Sequence, residues 1–178
     1  AISKQEQFEV ETGQGVFSAE SLVIATGSKS IPKMGATGFG HQVATQFGLD
    51  VTELRAGLVP FRLTGSEQDQ LKALAGISLD VSVSCSGHVF REQMLFTHRG
   101  ISGPAMLQIS SYWRDGDAIS IDLLPGMDAA GWLAHMRQEH PKMAVRTVLS
   151  EKLPKRLVQF LCESLVSDEK LRRFSDVQ

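Results

Sequence analysis

The clearest pattern in the chain is an alternation of apolar and polar residues at positions 77–85. Every second residue there is Ile, Leu, Val or Cys, and the residues between them are Ser or Asp. A period of two is typical of a strand with one buried face and one solvated face. The turn Ser86-Gly87 leads into a second apolar run at 89–97, and a third follows at 119–123. Short antiparallel strands of this kind predict a small β-barrel or sandwich.

Beyond residue 126 the apolar residues change to a helical spacing. Four short helices are predicted there, at 128–139, 143–152, 154–165 and 167–174. Pro141 and Pro154 separate three of them, and each proline suits a helix start. The chain therefore passes from a strand-rich region to a helical region.

The first fifty residues predict two strands, a glycine-rich turn and a helix. Residues 7–25 predict a β-hairpin, whose second arm ends in the apolar run Leu22–Ala25, typical of a buried strand. Glycines between 27 and 40 come next. A helix is predicted from His41 to about Gln46, with Thr37 as its cap. A strand, a glycine-rich turn and a helix N-terminus together favour an anionic or dinucleotide ligand.

Composition and charge narrow the classes of function. The chain has 178 residues, of which 42% are hydrophobic and 21% charged, as in a soluble globular protein. A net charge of −2 argues against a nucleic-acid or membrane-surface partner. The basic residues Lys152, Lys155 and Arg156 are offset by Glu151 and Glu163, which indicates a solvated helix face. No apolar run has the length of a membrane span.

Cysteine usage and the polar start of the chain predict a cytoplasmic protein. Cys85 and Cys162 lie far apart without a CxxC motif, and AISKQEQFEVE has no character of a signal peptide. The chain contains no GxGxxG, Walker A, HExxH or GxSxG motif. No metal site is predicted, because the five histidines lack ligand spacing.

Three polar residues are candidates for chemistry, each with an alternative structural role. His41, in the first turn of the predicted helix, would donate a proton to a ligand or lie on the helix surface. His98 and Arg99 lie on a strand-to-helix turn, where they would face an open cleft or only cap and hydrate the turn. Ser102 is a predicted N-cap, and Pro104 suits the first helical turn that follows.

Four segments together resemble the HI0933-like (YhiN-type) family of FAD-containing proteins, described as NAD(P)/FAD-dependent oxidoreductases. They are LVIATG, GATGFGHQVATQFG, LVPF and LFTHRGISGPAMLQIS. The resemblance spans essentially the whole chain. It implies an α+β fold with three parts. These are the β-hairpin and ATG segment of a two-dinucleotide-binding FAD domain (1–55), a small antiparallel β-barrel (56–126) and a helical subdomain (127–178), the last two forming an insert.

The resemblance also implies an internal fragment of a flavoprotein oxidoreductase. The family's GxGxxG motif, its ribose-binding acidic residue and its final flavin-binding segment are not in this chain, so the fragment alone should not bind FAD tightly. Contacts to FAD would come from Ala25, Thr26, Gly27, Gly35, Thr37 and Gly38. The substrate cleft would include Ser102 and Gly103, with His98 and Arg99 as polar contacts.

The resemblance implies that the whole protein takes reducing equivalents from NAD(P)H and acts on a small molecule, with FAD as its cofactor. No nucleic-acid or membrane partner is expected. The alternative is a non-catalytic recognition module, in which the barrel and helices bind a protein or an RNA. The sequence has no evident pattern of exposed aromatic and basic residues, which argues against RNA.

Overall fold

The computed structural model describes residues 1–30, 33, 35 and 37–164. Two compact units are present, Ala1–Arg55 and Ala56–Gln178. The described residues form two antiparallel sheets and six α-helices, which confirms the α+β class. No helix in this part of the chain is both long enough and apolar enough to cross a bilayer.

The first unit contains a three-stranded sheet and one helix. The elements are β1 (Ile2–Lys4), β2 (Phe8–Thr12), β3 (Gly15–Ala19) and α1 (Phe39–Gln46). Strands β2 and β3 form the predicted hairpin, and the Thr12 hydroxyl closes its turn by donating to the Gly15 carbonyl at 3.0 Å. Helix α1 packs on the sheet through an edge-to-face contact of Phe8 with Phe47, with ring centroids 5.8 Å apart.

The prediction of a buried strand at Leu22–Ala25 is wrong. The second arm of the hairpin ends at Ala19, and residues 21–25 have no regular secondary structure. Val23 is 83% exposed. An apolar run becomes a buried strand only when neighbouring strands satisfy its backbone and cover both faces. No strand of the described chain pairs with these residues.

Helix α1 has the predicted end and an earlier start. It begins at Phe39, with Gly38 at the N-cap position and no side-chain cap. The Thr37 hydroxyl instead accepts a hydrogen bond from the Phe39 amide at 3.3 Å, one position before the cap. Gly48 follows the C-cap with a φ of 75°, the left-handed conformation that ends many helices.

The second unit is built on a five-stranded antiparallel sheet with the order β4-β7-β6-β5-β8. The strands are β4 (Phe61–Arg62), β5 (Ser78–Cys85), β6 (His88–Thr97), β7 (Gly100–Ser102) and β8 (Ser120–Asp122). The three strands expected from apolar patterning correspond to β5, β6 and β8. The two that the pattern misses, β4 and β7, are only two and three residues long.

Two helices accompany this sheet, α2 (Gly65–Lys72) and α3 (Pro104–Ser110). Helix α3 packs across β5 and β6, where the alternating apolar side chains form the core. Val81, Val83 and Ile109 all have 0% exposure. Burial of each such side chain contributes about 1.5–3 kcal/mol, so this layer is the main stabilising element of the unit.

Three further helices form a second core cluster beside the first. They are α4 (Ala129–Glu139), α5 (Val145–Leu149) and α6 (Lys155–Ser164), and they confirm three of the four predicted helices. The fourth, at 167–174, lies outside the described residues. Leu79, Leu123 and Leu161 contact both clusters, so the sheet and the helices share one continuous apolar interior.

Candidate functional site

The His98–Arg99 turn projects from the end of the sheet, between β6 and β7. The Thr97 hydroxyl closes it by donating to the Gly100 carbonyl at 2.9 Å and by accepting from the Arg99 amide at 3.2 Å. Both His98 and Arg99 are exposed. Within the described part of the chain, neither side chain has a hydrogen-bond or ion-pair partner. The turn therefore presents an imidazole and a guanidinium to solvent.

Neighbouring elements hold the backbone of this turn in place. The Gln68 side-chain amide of α2 donates to the His98 carbonyl at 3.2 Å, and the Leu63 amide donates to the Arg99 carbonyl at 3.0 Å. Arg62 of β4 lies directly opposite Gly100 of β7. Two arginines, Arg62 and Arg99, are thus brought to the same end of the sheet.

Close backbone packing explains the two glycines beside the turn. A Cβ on Gly100 would lie 2.1 Å from the Phe61 carbonyl oxygen, and one on Gly103 would lie 2.6 Å from the Gln93 carbonyl oxygen. Both glycines also have positive φ, 143° and 96°. Gly103, expected in a substrate cleft, is therefore required by the contact of β6 with the start of α3.

The structure does not support Ser102 as an N-cap. Ser102 lies in β7, opposite Leu95 of β6, and is half-buried. The N-cap position of α3 is Gly103, which makes no side-chain hydrogen bond, and Pro104 occupies the first turn as predicted. The prediction failed because Ser102 belongs to β7, a strand that the sequence pattern does not reveal.

The proposed cofactor contacts lie in the first unit. Ala25, Thr26 and Gly27 are exposed, and Gly27 has a φ of 79°. The start of α1 packs against this segment, because a Cβ on Gly40 would lie 3.4 Å from the Ile24 side chain and 3.9 Å from the Thr26 hydroxyl. The structure thus brings the ATG segment and the helix N-terminus together.

The other candidates of the first unit surround this helix start. Gly35 and Thr37 are exposed, and Gly38 occupies the N-cap. A Cβ on Gly35 would meet no atom within 4 Å. His41 is half-buried in the first turn of α1. Its Nδ1 atom is buried without a hydrogen-bond partner in the described chain.

The basic residues Lys152, Lys155 and Arg156, interpreted from the sequence as a solvated helix face, belong to a longer basic stretch. This stretch, residues 137–156, is here named the basic helical segment. It has six basic and two acidic residues, for a formal charge of +4. The preceding residues of the same unit, 56–136, have five basic and eight acidic residues, for a formal charge of −3. The summed charge of the chain hides this separation.

Two successive turns shape the centre of the basic helical segment. After α5, the Glu151 amide donates to the Val148 carbonyl at 3.0 Å and the Lys152 amide to the Leu149 carbonyl at 3.1 Å. Leu153 then anchors the chain in the core before α6 begins at Lys155. The order is helix, two turns, helix.

The cations of this segment have two different roles. The Arg156 guanidinium donates to the Ala73 and Ala75 carbonyls, both at 3.2 Å, and so ties α6 to the end of α2. Lys142, Lys152 and Lys155 are exposed. Their amino groups make no ion pair or hydrogen bond with the residues that the structure describes. These three lysines remain available to an anionic partner.

Metal chemistry has no support in the described residues. No group of three or more His, Cys, Asp and Glu side chains there could hold a metal ion.

Two curated relatives carry the name ribosomal RNA dihydrouridine synthase. The protein of Escherichia coli K12 is 46% identical over 163 residues, which cover 90% of this chain and 41% of the relative. The protein of Haemophilus influenzae Rd is 43% identical over 175 residues, covering 97% of this chain and 43% of the relative. The chain spans about two fifths of the length of the curated relatives it matches.

These names contradict two expectations drawn from the sequence. The expected substrate was a small molecule reduced with NAD(P)H, whereas the relatives are named for an activity on ribosomal RNA. The expectation of no nucleic-acid partner is wrong for the same reason. It rested on the net charge of −2, which averages the basic helical segment with the acidic remainder.

A family model described as "HI0933-like protein barrel and H2TH domain" matches residues 55–178. The antiparallel sheet of the second unit and the succession of α5, two turns and α6 agree with a barrel and a helix–two-turn–helix. The match does not include residues 1–54, so the expected FAD domain is not shown, and the relatives are named for an activity on ribosomal RNA rather than as NAD(P)/FAD-dependent oxidoreductases. The chain belongs to the HI0933-like family.

Proposed function

We propose that this chain is part of an enzyme that reduces uridine to dihydrouridine in ribosomal RNA. The observation that carries the proposal is the identity of 46% and 43% with relatives named for that activity, over 90% and 97% of this chain. The activity is that of a longer protein, to which the second unit contributes RNA binding and, through His98 and Arg99, contacts to the substrate.

The chemistry requires a redox cofactor as well as protein side chains. Dihydrouridine has one additional hydrogen at each of C5 and C6 of uracil, so a hydride must reach C6 and a proton must reach C5. Side chains supply protons, while hydride transfer belongs to a cofactor. FAD, when bound and first reduced by an external two-electron donor, would supply the hydride.

Residues of the first unit fit a flat or anionic group such as FAD. The exposed backbone of Ala25–Gly27 lies beside the N-terminal end of α1, and Gly27 has no side chain to keep a ligand away. We propose that this segment, together with Gly35, Thr37 and Gly38, forms one wall of the FAD site.

The basic helical segment is proposed to bind the phosphate backbone. RNA is a polyanion, and each phosphate neutralised by a lysine or arginine releases a condensed counterion. Lys152 and Lys155 flank the end of the two turns, and Lys142 precedes α5; all three are exposed. Lys155 lies on α6, which the Arg156 hydrogen bonds fix to the end of α2.

His98 and Arg99 are proposed as contacts to the substrate. An imidazole can donate or accept a proton near neutral pH, and a guanidinium suits a uracil carbonyl or a phosphate. Both side chains are exposed on a turn whose backbone is held by Gln68 and Leu63. This assigns the turn a polar role against RNA rather than against a small molecule.

The test uses the full-length protein, expressed in a bacterial strain that lacks its own copy of such an enzyme. Mass spectrometry of nucleosides from purified ribosomal RNA should show dihydrouridine only when the protein is present. Lys152→Gln combined with Lys155→Gln should lower the yield, whereas Lys72→Gln, an exposed lysine of α2, should not. A folded, flavin-loaded wild-type protein that forms no dihydrouridine would contradict the proposal.

A second candidate function is RNA recognition alone, and the family match to a barrel and H2TH domain favours it for residues 55–178. In that case catalysis belongs to other parts of the protein. Substituting both His98 and Arg99 by Ala distinguishes the two. Unchanged dihydrouridine yield at saturating RNA would assign the second unit to binding only.

A further inference from the structure

Two neighbouring arginines at one end of the second unit's sheet have no partner for their side chains. Arg62 in β4 and Arg99 in the turn after β6 are both exposed. As far as the structure describes the chain, neither guanidinium takes part in a hydrogen bond or an ion pair. Like charges beside each other on a sheet repel, so this placement costs free energy. An anionic partner would remove that cost.

An unpaired guanidinium is unusual in this unit. Arg91 of β6, also exposed, donates two hydrogen bonds to Asp80 Oδ2, at 3.1 and 2.9 Å. The other described arginines of the unit that interact within the chain are Arg114, Arg137, Arg146 and Arg156. Among the arginines that the structure describes there, the two without a partner are therefore also the two that lie side by side.

Strand pairing brings these two arginines close to each other. Arg62 lies directly opposite Gly100, the residue that follows Arg99. The Leu63 amide also donates to the Arg99 carbonyl at 3.0 Å. Opposite residues of an antiparallel pair have Cα atoms about 5 Å apart, and consecutive Cα atoms are about 3.8 Å apart, so the two arginine Cα atoms are within about 9 Å. Over this distance two long side chains can reach the same phosphate group.

The backbone that carries the pair is fixed on both sides. Phe61, next to Arg62, packs edge-to-face on Trp113 of the core, with ring centroids 5.6 Å apart. On the side of the turn, the Gln68 side-chain amide donates to the His98 carbonyl at 3.2 Å. Binding therefore has to order only side chains, which lowers its entropic cost.

The acidic residues of the adjacent helix do not neutralise the pair. Gln68 shows which face of α2 reaches the turn. Glu67 and Asp69 come one position before and one position after it, so each is turned by about 100° from that face. Both are exposed, and neither forms an ion pair with a residue in the described ranges. This end of the sheet thus presents two guanidinium groups without a bound carboxylate.

We propose that Arg62 and Arg99 together bind one backbone phosphate of the RNA substrate. The inference rests on the proposed function, which assigns Arg99 to the substrate, and it adds Arg62 as a binding residue. A guanidinium presents N–H donors in a planar fork that matches the oxygens of a phosphate. Phosphate contacts fix the register and orientation of a nucleic acid and carry no sequence information. The pair therefore positions the strand at the turn, and selection of uridine belongs to other contacts.

The first test measures the affinity of the full-length protein for a single-stranded ribosomal RNA fragment that contains the modified position, at several salt concentrations. Arg62→Gln should weaken binding about five-fold or more. The variant with both Arg62→Gln and Arg99→Gln should make the slope of log K against log salt shallower by about 0.7, the value for one phosphate. Arg91→Gln is the matched control, because it also removes one exposed charge from the sheet, but one that Asp80 already pairs. Its affinity should stay within about two-fold of wild type.

A second measurement changes the RNA and leaves the wild-type protein intact. An uncharged methylphosphonate replaces each phosphate of the fragment in turn. One position should weaken wild-type binding about five-fold or more, and the same replacement should have no further effect on the double variant. Arg62→Lys keeps the charge without the planar fork and should recover only part of the affinity that Arg62→Gln loses.

The shared phosphate contact would be overturned by any of three results. These are equal affinities of Arg62→Gln and Arg91→Gln, a change of slope near 1.4 in the double variant, as for two separate phosphates, and a methylphosphonate effect at every position that persists in the double variant. Lost activity with unchanged RNA affinity would also overturn it. Formation of dihydrouridine by the wild-type protein, measured on the same preparation, shows separately whether the proposed function holds.

Discussion

The sheet of the second unit and its basic helical segment differ in what they bury and what they expose. The sheet and α3 bury most of the fully enclosed side chains, and the residues of that region have a formal charge of −3. Within residues 137–156 the buried side chains are Val145, Val148 and Leu153, and the formal charge is +4. We therefore expect stability to come mainly from the sheet layer, and we propose that anion binding belongs mainly to the basic helical segment.

The largest expected effect follows from a change at Gly103, in the sheet layer. A Cβ there would meet backbone atoms at 2.6 and 2.9 Å, and the φ of 96° is unfavourable for alanine. We expect Gly103→Ala to lower the free energy of unfolding by about 2–6 kcal/mol, measured by urea denaturation. Gly116→Ala is the control, since Gly116 has a similar φ of 92° and open space around it. Equal losses for the two variants would refute the packing explanation.

A cavity in the same layer should have the next largest effect. Ile109 of α3 is fully buried between the helix and the sheet. Ile109→Ala should lower the free energy of unfolding by about 2–5 kcal/mol. The RNA affinity of the folded variant should not change, because Ile109 is remote from solvent. A variant that stays stable but loses RNA binding would contradict the division of roles.

A smaller loss of stability is expected at Arg156, the cation that joins the two regions. Arg156→Gln removes two hydrogen bonds to carbonyls of residues 73 and 75 and should cost about 1 kcal/mol. Lys155→Gln, one position earlier, should leave the free energy of unfolding within about 0.5 kcal/mol of wild type. If both variants unfold like the wild type, the tie between α6 and α2 contributes nothing measurable.

Secondary-structure elements with a clear local sequence pattern were predictable. Pairing between strands that are far apart in the sequence was not. The alternation at residues 77–85 predicted β5 because the apolar side chains of this strand all lie on the same face, which packs on the core. Strand β7 was missed because three residues give no pattern, and the run Leu22–Ala25 gave a wrong strand because a sequence does not show whether a strand partner is present.

The candidate functional residues were predictable only in part, for the same physical reason. Family motifs drew attention to His98 and Arg99, which the structure finds exposed on a turn. The hydrogen bonds by which Gln68 and Leu63 hold this turn join distant segments, and no local pattern indicates them. The basic helical segment was visible in the sequence. Its basic residues were weighed against Glu151 and against the net charge of the whole chain, and no separate formal charge was counted for each region.

The salt dependence of RNA affinity tests most directly whether the basic helical segment binds the backbone. We predict that the wild-type, full-length protein loses affinity steeply as salt rises. The slope of log K against log salt should be smaller by about 1.4 for the variant with both Lys152→Gln and Lys155→Gln, since each contact to single-stranded RNA contributes about 0.7. Its free energy of unfolding should stay unchanged. An identical slope for the wild type and this variant would contradict the account.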